Sequence, residues 1–136
     1  MKYITIWTSL LLLATLSATW ADEKDEARKE LEKFQGEWKL SEDDTITLKF
    51  TGEEYEFHAM GVIEKGKMKF RPGTNPRQVD IDITSGPDAG KKQVGIYTWK
   101  NDTTVQFTLA EAGKDKRPEK PDEEGYITLE FEKVKK

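Results

Sequence analysis

Apolar and polar residues alternate in twos along most of this chain, a pattern that predicts strands with one side on a core and the other in water. Ile46, Leu48 and Phe50 alternate with Thr45, Thr47 and Lys49, and Tyr55, Phe57 and Ala59 alternate with Glu54, Glu56 and His58. Thr51-Gly52-Glu53 turns the chain between these runs; Gly61 then interrupts, and Glu64-Lys65-Gly66-Lys67 reads as a tight turn before Met68 and Phe70. Past a loop from Arg71 to Pro76, Val79, Ile81 and Ile83 alternate with Asp80 and Asp82, and Ser85 to Gly90 turns the chain again. The run from Gln93 to Lys100 carries Val94 and Ile96 on one side and Tyr97 and Trp99 on the other, so both of its faces are expected to be covered. Asn101-Asp102 supplies turn chemistry, Val105, Phe107 and Leu109 alternate once more, and Ile127, Leu129 and Phe131 with Val134 form a last strand.

Two segments break this period. Ala27, Leu31 and Phe34 are spaced by four and three residues, which places one narrow apolar stripe on a short helix before Gly36. Between Ala110 and Gly125, Gly113, Pro118, Pro121 and many charges predict a mobile loop in which Arg117 is solvated. About eight short amphipathic strands must bury their apolar faces against one another, and a sheet closed on itself does so while removing exposed edges. The expected fold is therefore all-β: an antiparallel up-and-down barrel with a short N-terminal helix. A two-sheet sandwich is the alternative, because periodicity alone does not distinguish closure from stacking.

The first 21 residues change the picture of where the barrel works. Lys2, an apolar stretch from Ile4 to Leu16 and small residues at Ala18 and Ala21 read as a cleavable secretory signal peptide, leaving 22–136 as one barrel domain. The apolar stretch is shorter than a membrane span of ~20 residues and is followed at once by Asp22, Glu23 and Lys24, so no stable membrane insertion is expected after cleavage. The chain is read as exported, periplasmic or extracellular. It contains no cysteine, so the exported fold is held by packing without disulfides or thiolate metal sites. With 22 basic against 26 acidic residues and a net charge of −4, it lacks the basic excess that nucleic-acid binding requires.

Gly36-Glu37-Trp38, following a short helix, resembles the G-x-W signature of lipocalin-like barrels. Across the whole domain the chain resembles a family of exported lipocalin-like domains of uncharacterised function, abundant in planctomycete bacteria. The stretches that carry this are Phe34 to Leu40; Ile81-Asp82-Ile83-Thr84 with Gly86-Pro87 and Gly90-Lys91; Gly95-Ile96-Tyr97; and Gly113 to Pro118. The resemblance implies that Gly36 and Trp38 close one barrel end beneath the helix, with the other end open to a ligand. In ligand-carrying lipocalins an arginine near the last strand packs over that tryptophan, whereas Phe131 to Lys136 offers only lysines, which cannot stack in the same way.

Candidate chemistry is sparse. Glu54, Glu56 and His58 share one strand face, but a metal site draws ligands from several elements, so this face reads as solvated and no metal or cofactor is expected. His58 is the only histidine, and carboxylate pairs such as Asp80 with Asp82 or Glu130 with Glu132 alternate with apolar residues and point to water. No catalytic constellation results, and the protein is not expected to be an enzyme. Asn101-Asp102-Thr103 matches the N-glycosylation pattern and reads as a turn. Tyr97 and Trp99, alongside Tyr55 and Phe57, could line a cavity, with Arg117 as an anion contact at its mouth. The expected function is non-covalent binding of a small, partly apolar ligand or cell-envelope component; the alternative is a protein-interaction module whose barrel is filled.

Overall fold

The computed structural model describes residues 22–135, so the signal peptide read from residues 1–21 lies outside the described residues. A helix, α1, covers residues 22–34. Eight strands follow: β1 (Gly36–Leu40), β2 (Thr47–Thr51), β3 (Glu54–Ala59), β4 (Val62–Arg71), β5 (Arg77–Ser85), β6 (Lys92–Asn101), β7 (Thr104–Leu109) and β8 (Ile127–Lys133). Each strand pairs antiparallel with the next, and β8 returns to β1 with Trp38 opposite Lys133 and Leu40 opposite Phe131. The sheet is a closed up-and-down barrel, which settles the choice against a sandwich.

The alternation in the sequence becomes the inside and outside of this wall. Leu48, Phe50, Tyr55, Met68, Phe70, Val79, Ile81, Ile83, Tyr97, Val105, Phe107, Leu109 and Phe131 form one buried core. On the outside, Lys49 stands opposite Glu56, Glu56 opposite Lys65, Glu54 opposite Lys67, and Lys69 opposite Asp80, so charges of opposite sign alternate across neighbouring strands.

One turn is misplaced by the sequence reading. Glu64 to Lys67 is part of β4, and the hairpin turns at Met60-Gly61, both at positive φ as a two-residue loop of this hand requires. Gly66 is instead the site of a register shift in the middle of the strand. A Cβ there would lie 2.1 Å from the Asp82 carbonyl oxygen and 2.9 Å from the Tyr55 ring, so a glycine is needed for close approach and not for a turn.

α1 seals the end of the barrel where β1 begins. Phe34, at its last turn, is fully buried and stacks on Phe70 at 4.0 Å, with Trp99 at 4.8 Å and the edge of Tyr97 at 5.6 Å. Each such aromatic pair adds ~0.5–1.5 kcal/mol beyond the area it buries. The Trp38 indole N–H donates to the Phe34 carbonyl at 2.8 Å, and Gln35 brackets the β2–β3 turn through the Gly52 N–H and carbonyl. These bonds fix the helix over the barrel end.

The segment after β7 also differs from expectation. Ala110 and Pro118 are buried, and the segment lies against the outer wall formed by β5, β6 and β7. Arg117 donates to the Val79 and Gly95 carbonyls at 2.9 and 2.8 Å and to the Asp80 carboxylate, which also accepts from Arg71. The Asp122 N–H caps the buried Thr108 hydroxyl, and the Gly113 N–H bonds to the Lys92 carbonyl. The strap covers Ile96 and Thr108, the outward residues that needed cover. Its charges obscured these anchors, because backbone carbonyls on the wall do not show in a sequence.

Candidate functional site

At the end of the barrel opposite α1 the interior does not fill. A cavity of about 310 Å³ is walled by Leu48, Phe57, Met68, Ile81, Phe107, Leu109, Ile127, Leu129 and Phe131, drawn from six strands. Phe107 and Phe131 meet edge to face at 5.9 Å, and Phe57 meets Phe131 in the same way at 6.3 Å. Two glycines make room for the lining residues Tyr55 and Leu109. Gly66 lets the Tyr55 ring lie against the wall, and a Cβ on Gly95 would stand 2.4 Å from the Leu109 side chain.

Four polar residues interrupt this apolar lining: Tyr55, Glu64, Asp88 and Gln93. The Tyr55 hydroxyl donates to Glu64 Oε2 at 2.9 Å. Burial, and then the acceptor Glu64, push the Tyr55 phenol far above its ordinary value near 10, so it is a fixed donor. Asp88 is paired with Lys91 at 3.2 Å, and the Gln93 amide donates to the Ala110 carbonyl at 2.9 Å. Glu64 makes no ion pair with a lysine or arginine among the described residues.

The chain matches no family model, no curated protein and no solved structure. The functional reading therefore rests on the groups in this cavity.

Of the residues singled out from the sequence, Tyr55 and Phe57 line the cavity. Tyr97 and Trp99 do not; they lie at the sealed end, where the Tyr97 hydroxyl donates to Glu30 Oε2 at 2.6 Å and the Trp99 indole donates to the same oxygen at 3.2 Å. Arg117 is likewise away from the mouth, held on the outer wall by the bonds described above. Gly36, at φ 110°, and Trp38, fully buried, stand at the sealed end. Lys133 lies over the Trp38 ring with its ammonium 5.6 Å from the centroid, so a lysine here does take the place on the tryptophan face.

Glu54, Glu56 and His58 are on the outer wall, where His58 Nε2 meets Glu56 Oε1 at 2.8 Å and that bond lowers the Glu56 carboxyl below its usual range. Among the described residues no cluster of three histidine or carboxylate side chains could hold a metal, and no helix is long and apolar enough to cross a membrane. Asn101 accepts from the Thr103 N–H and hydroxyl, as a turn residue does.

Two carboxylates escaped the sequence reading. Glu64 was assigned to a turn. Glu30 sits between Ala27, Leu31 and Phe34 on the helix stripe, where its spacing of three and four residues from Ala27 and Phe34 was the available signal.

Proposed function

We propose that this is an exported, lipocalin-like barrel that holds a small, partly apolar ligand non-covalently in the cavity opposite α1. The observation that carries this reading is the cavity: about 310 Å³ of apolar-walled space with a few polar groups, at the lower end of the range (~300–1,000 Å³) of small-molecule sites. A barrel of this strand number can instead be filled by side chains, as the sealed half is here. The walls of the open half belong to the same core, yet they leave a space that side chains do not fill.

The test is saturable binding of an uncharged apolar fluorophore, with native mass spectrometry of the protein as purified. Leu129→Trp, which puts an indole into the space, is expected to weaken fluorophore binding about tenfold or more while the protein remains folded by circular dichroism. Absence of saturable binding, or equal binding by Leu129→Trp, overturns the reading and favours a protein-interaction module.

A further inference from the structure

We propose that the ligand of the open cavity is a cationic amphiphile: a single apolar chain ending in an ammonium group that docks on Glu64. The proposal rests on the ligand-binding reading above and adds to it the charge of the ligand.

The argument begins with what the cavity holds and lacks. Its apolar lining accepts a hydrocarbon chain, and its only ionisable groups besides the fixed phenol of Tyr55 are acids, Glu64 and Asp88. Asp88 is already engaged with Lys91. Glu64 is half-buried and receives a single hydrogen bond, on Oε2 from Tyr55, which leaves Oε1 without a partner in the protein. That oxygen is open to solvent beside the apolar walls, where an incoming donor can reach it. An ammonium brings the opposite charge and several donors to this oxygen, and a charge-assisted bond of this kind is among the stronger polar contacts.

Tyr55 fixes the direction of the site. Its phenol is held protonated and points its hydrogen at Glu64, so it orients the carboxylate and does not itself offer a donor to an anion. A fatty acid would place its carboxylate beside Glu64 with no cation among the lining residues to offset the repulsion. A neutral alcohol would gain the apolar contacts and one hydrogen bond without opposite charge, which an amide at position 64 can also accept. The volume fits one short chain and not a double-chain lipid.

The experiment displaces an uncharged apolar fluorophore from the intact protein with octylamine, 1-octanol and octanoate, three probes with the same chain. Octylammonium is expected to displace it at about tenfold lower concentration than octanol, and octanoate to be the weakest. In Glu64→Gln, which keeps an acceptor for Tyr55, the advantage of the amine over octanol is expected to shrink to about twofold while octanol is unchanged. Equal potency of the three probes in the unaltered protein, better displacement by octanoate, or an amine preference that survives Glu64→Gln overturns the proposal. If octanol binds and octylamine binds no better, the charge assignment alone fails. If neither the fluorophore nor any probe binds, the ligand-binding reading fails with it.

Discussion

Replacing Glu30 with alanine removes the acceptor that joins α1 to the barrel. Tyr97 is 1% exposed and its hydroxyl loses its acceptor once Glu30 is gone, whereas Trp99 is partly exposed and recovers more hydration. A buried donor left without a partner costs ~1–3 kcal/mol, which puts Tyr97 at about 2 and Trp99 at about 1, about 3 kcal/mol together. The flanking ion pairs add little, because Arg77 and Lys33 reach Glu30 only at 3.6 and 3.7 Å from side chains that are 44% and 62% exposed. A loss of about 3 kcal/mol lowers the Tm of a domain of this size by about 10 °C. Glu30→Gln is the control: both donors converge on the single oxygen Oε2, so an amide carbonyl can serve them, and the cost falls to about 1 kcal/mol for the lost charge. Urea unfolding followed by tryptophan fluorescence measures both variants, since Trp38 and Trp99 stand 5.9 Å apart at this sealed end. An alanine variant within about 0.5 kcal/mol of the unaltered protein, or a glutamine variant as weak as alanine, refutes the account.

Arg117→Ala is expected to destabilise the fold by about 2 kcal/mol and to speed hydrogen exchange over residues 110–126, with Arg117→Lys restoring only part, because one ammonium cannot reach two carbonyls and a carboxylate in a fork; unchanged exchange in the alanine variant would remove the anchor role. Alkaline stability follows from the two buried phenols. Burial and then their carboxylate partners Glu64 and Glu30 raise Tyr55 and Tyr97 above the ordinary value of 10.0, so above that pH the unfolded chain binds fewer protons than the folded one. Stability contributed by these groups is thus fully present below pH 10.0 and is lost as pH rises further, and Tyr97→Phe or Tyr55→Phe should flatten that fall in denaturant titrations. Phenolate absorbance of all the tyrosines developing near pH 10.0 while the protein is still folded would refute it.

The barrel was legible in the sequence because its physics is periodic. Residues such as Leu48, Phe50, Val79, Ile81, Val105 and Phe107 alternate with polar neighbours, and that alternation is itself the inside and outside of the wall. The double-faced strand β6 was equally visible: Ile96 is buried beneath the strap while Tyr97 is buried within the barrel. What the pattern does not encode is the longitudinal position of an inward residue. Tyr55 and Tyr97 both point inward, yet one lines the cavity and the other meets α1. Gly66 shows a second blind spot, because a glycine between charged residues looks like a turn whether its task is to bend the chain or to admit a ring and a carbonyl. That misassignment carried Glu64 with it, since a turn glutamate is expected in water.

Each end of the barrel carries a glutamate, buried at the sealed end and half-buried at the open one. At the sealed end Glu30 accepts from Tyr97 and Trp99 through Oε2 and has cations within 3.7 Å on either side, so nothing further is needed there. At the open end Glu64 accepts from Tyr55 alone, beside an unfilled space of about 310 Å³. Glu64 is half-buried and its second oxygen stays open to solvent, so what sets it apart is a carboxylate with a free acceptor standing beside an apolar cavity. The proposed ligand, an ammonium on a single chain, would complement both that carboxylate and the walls beside it.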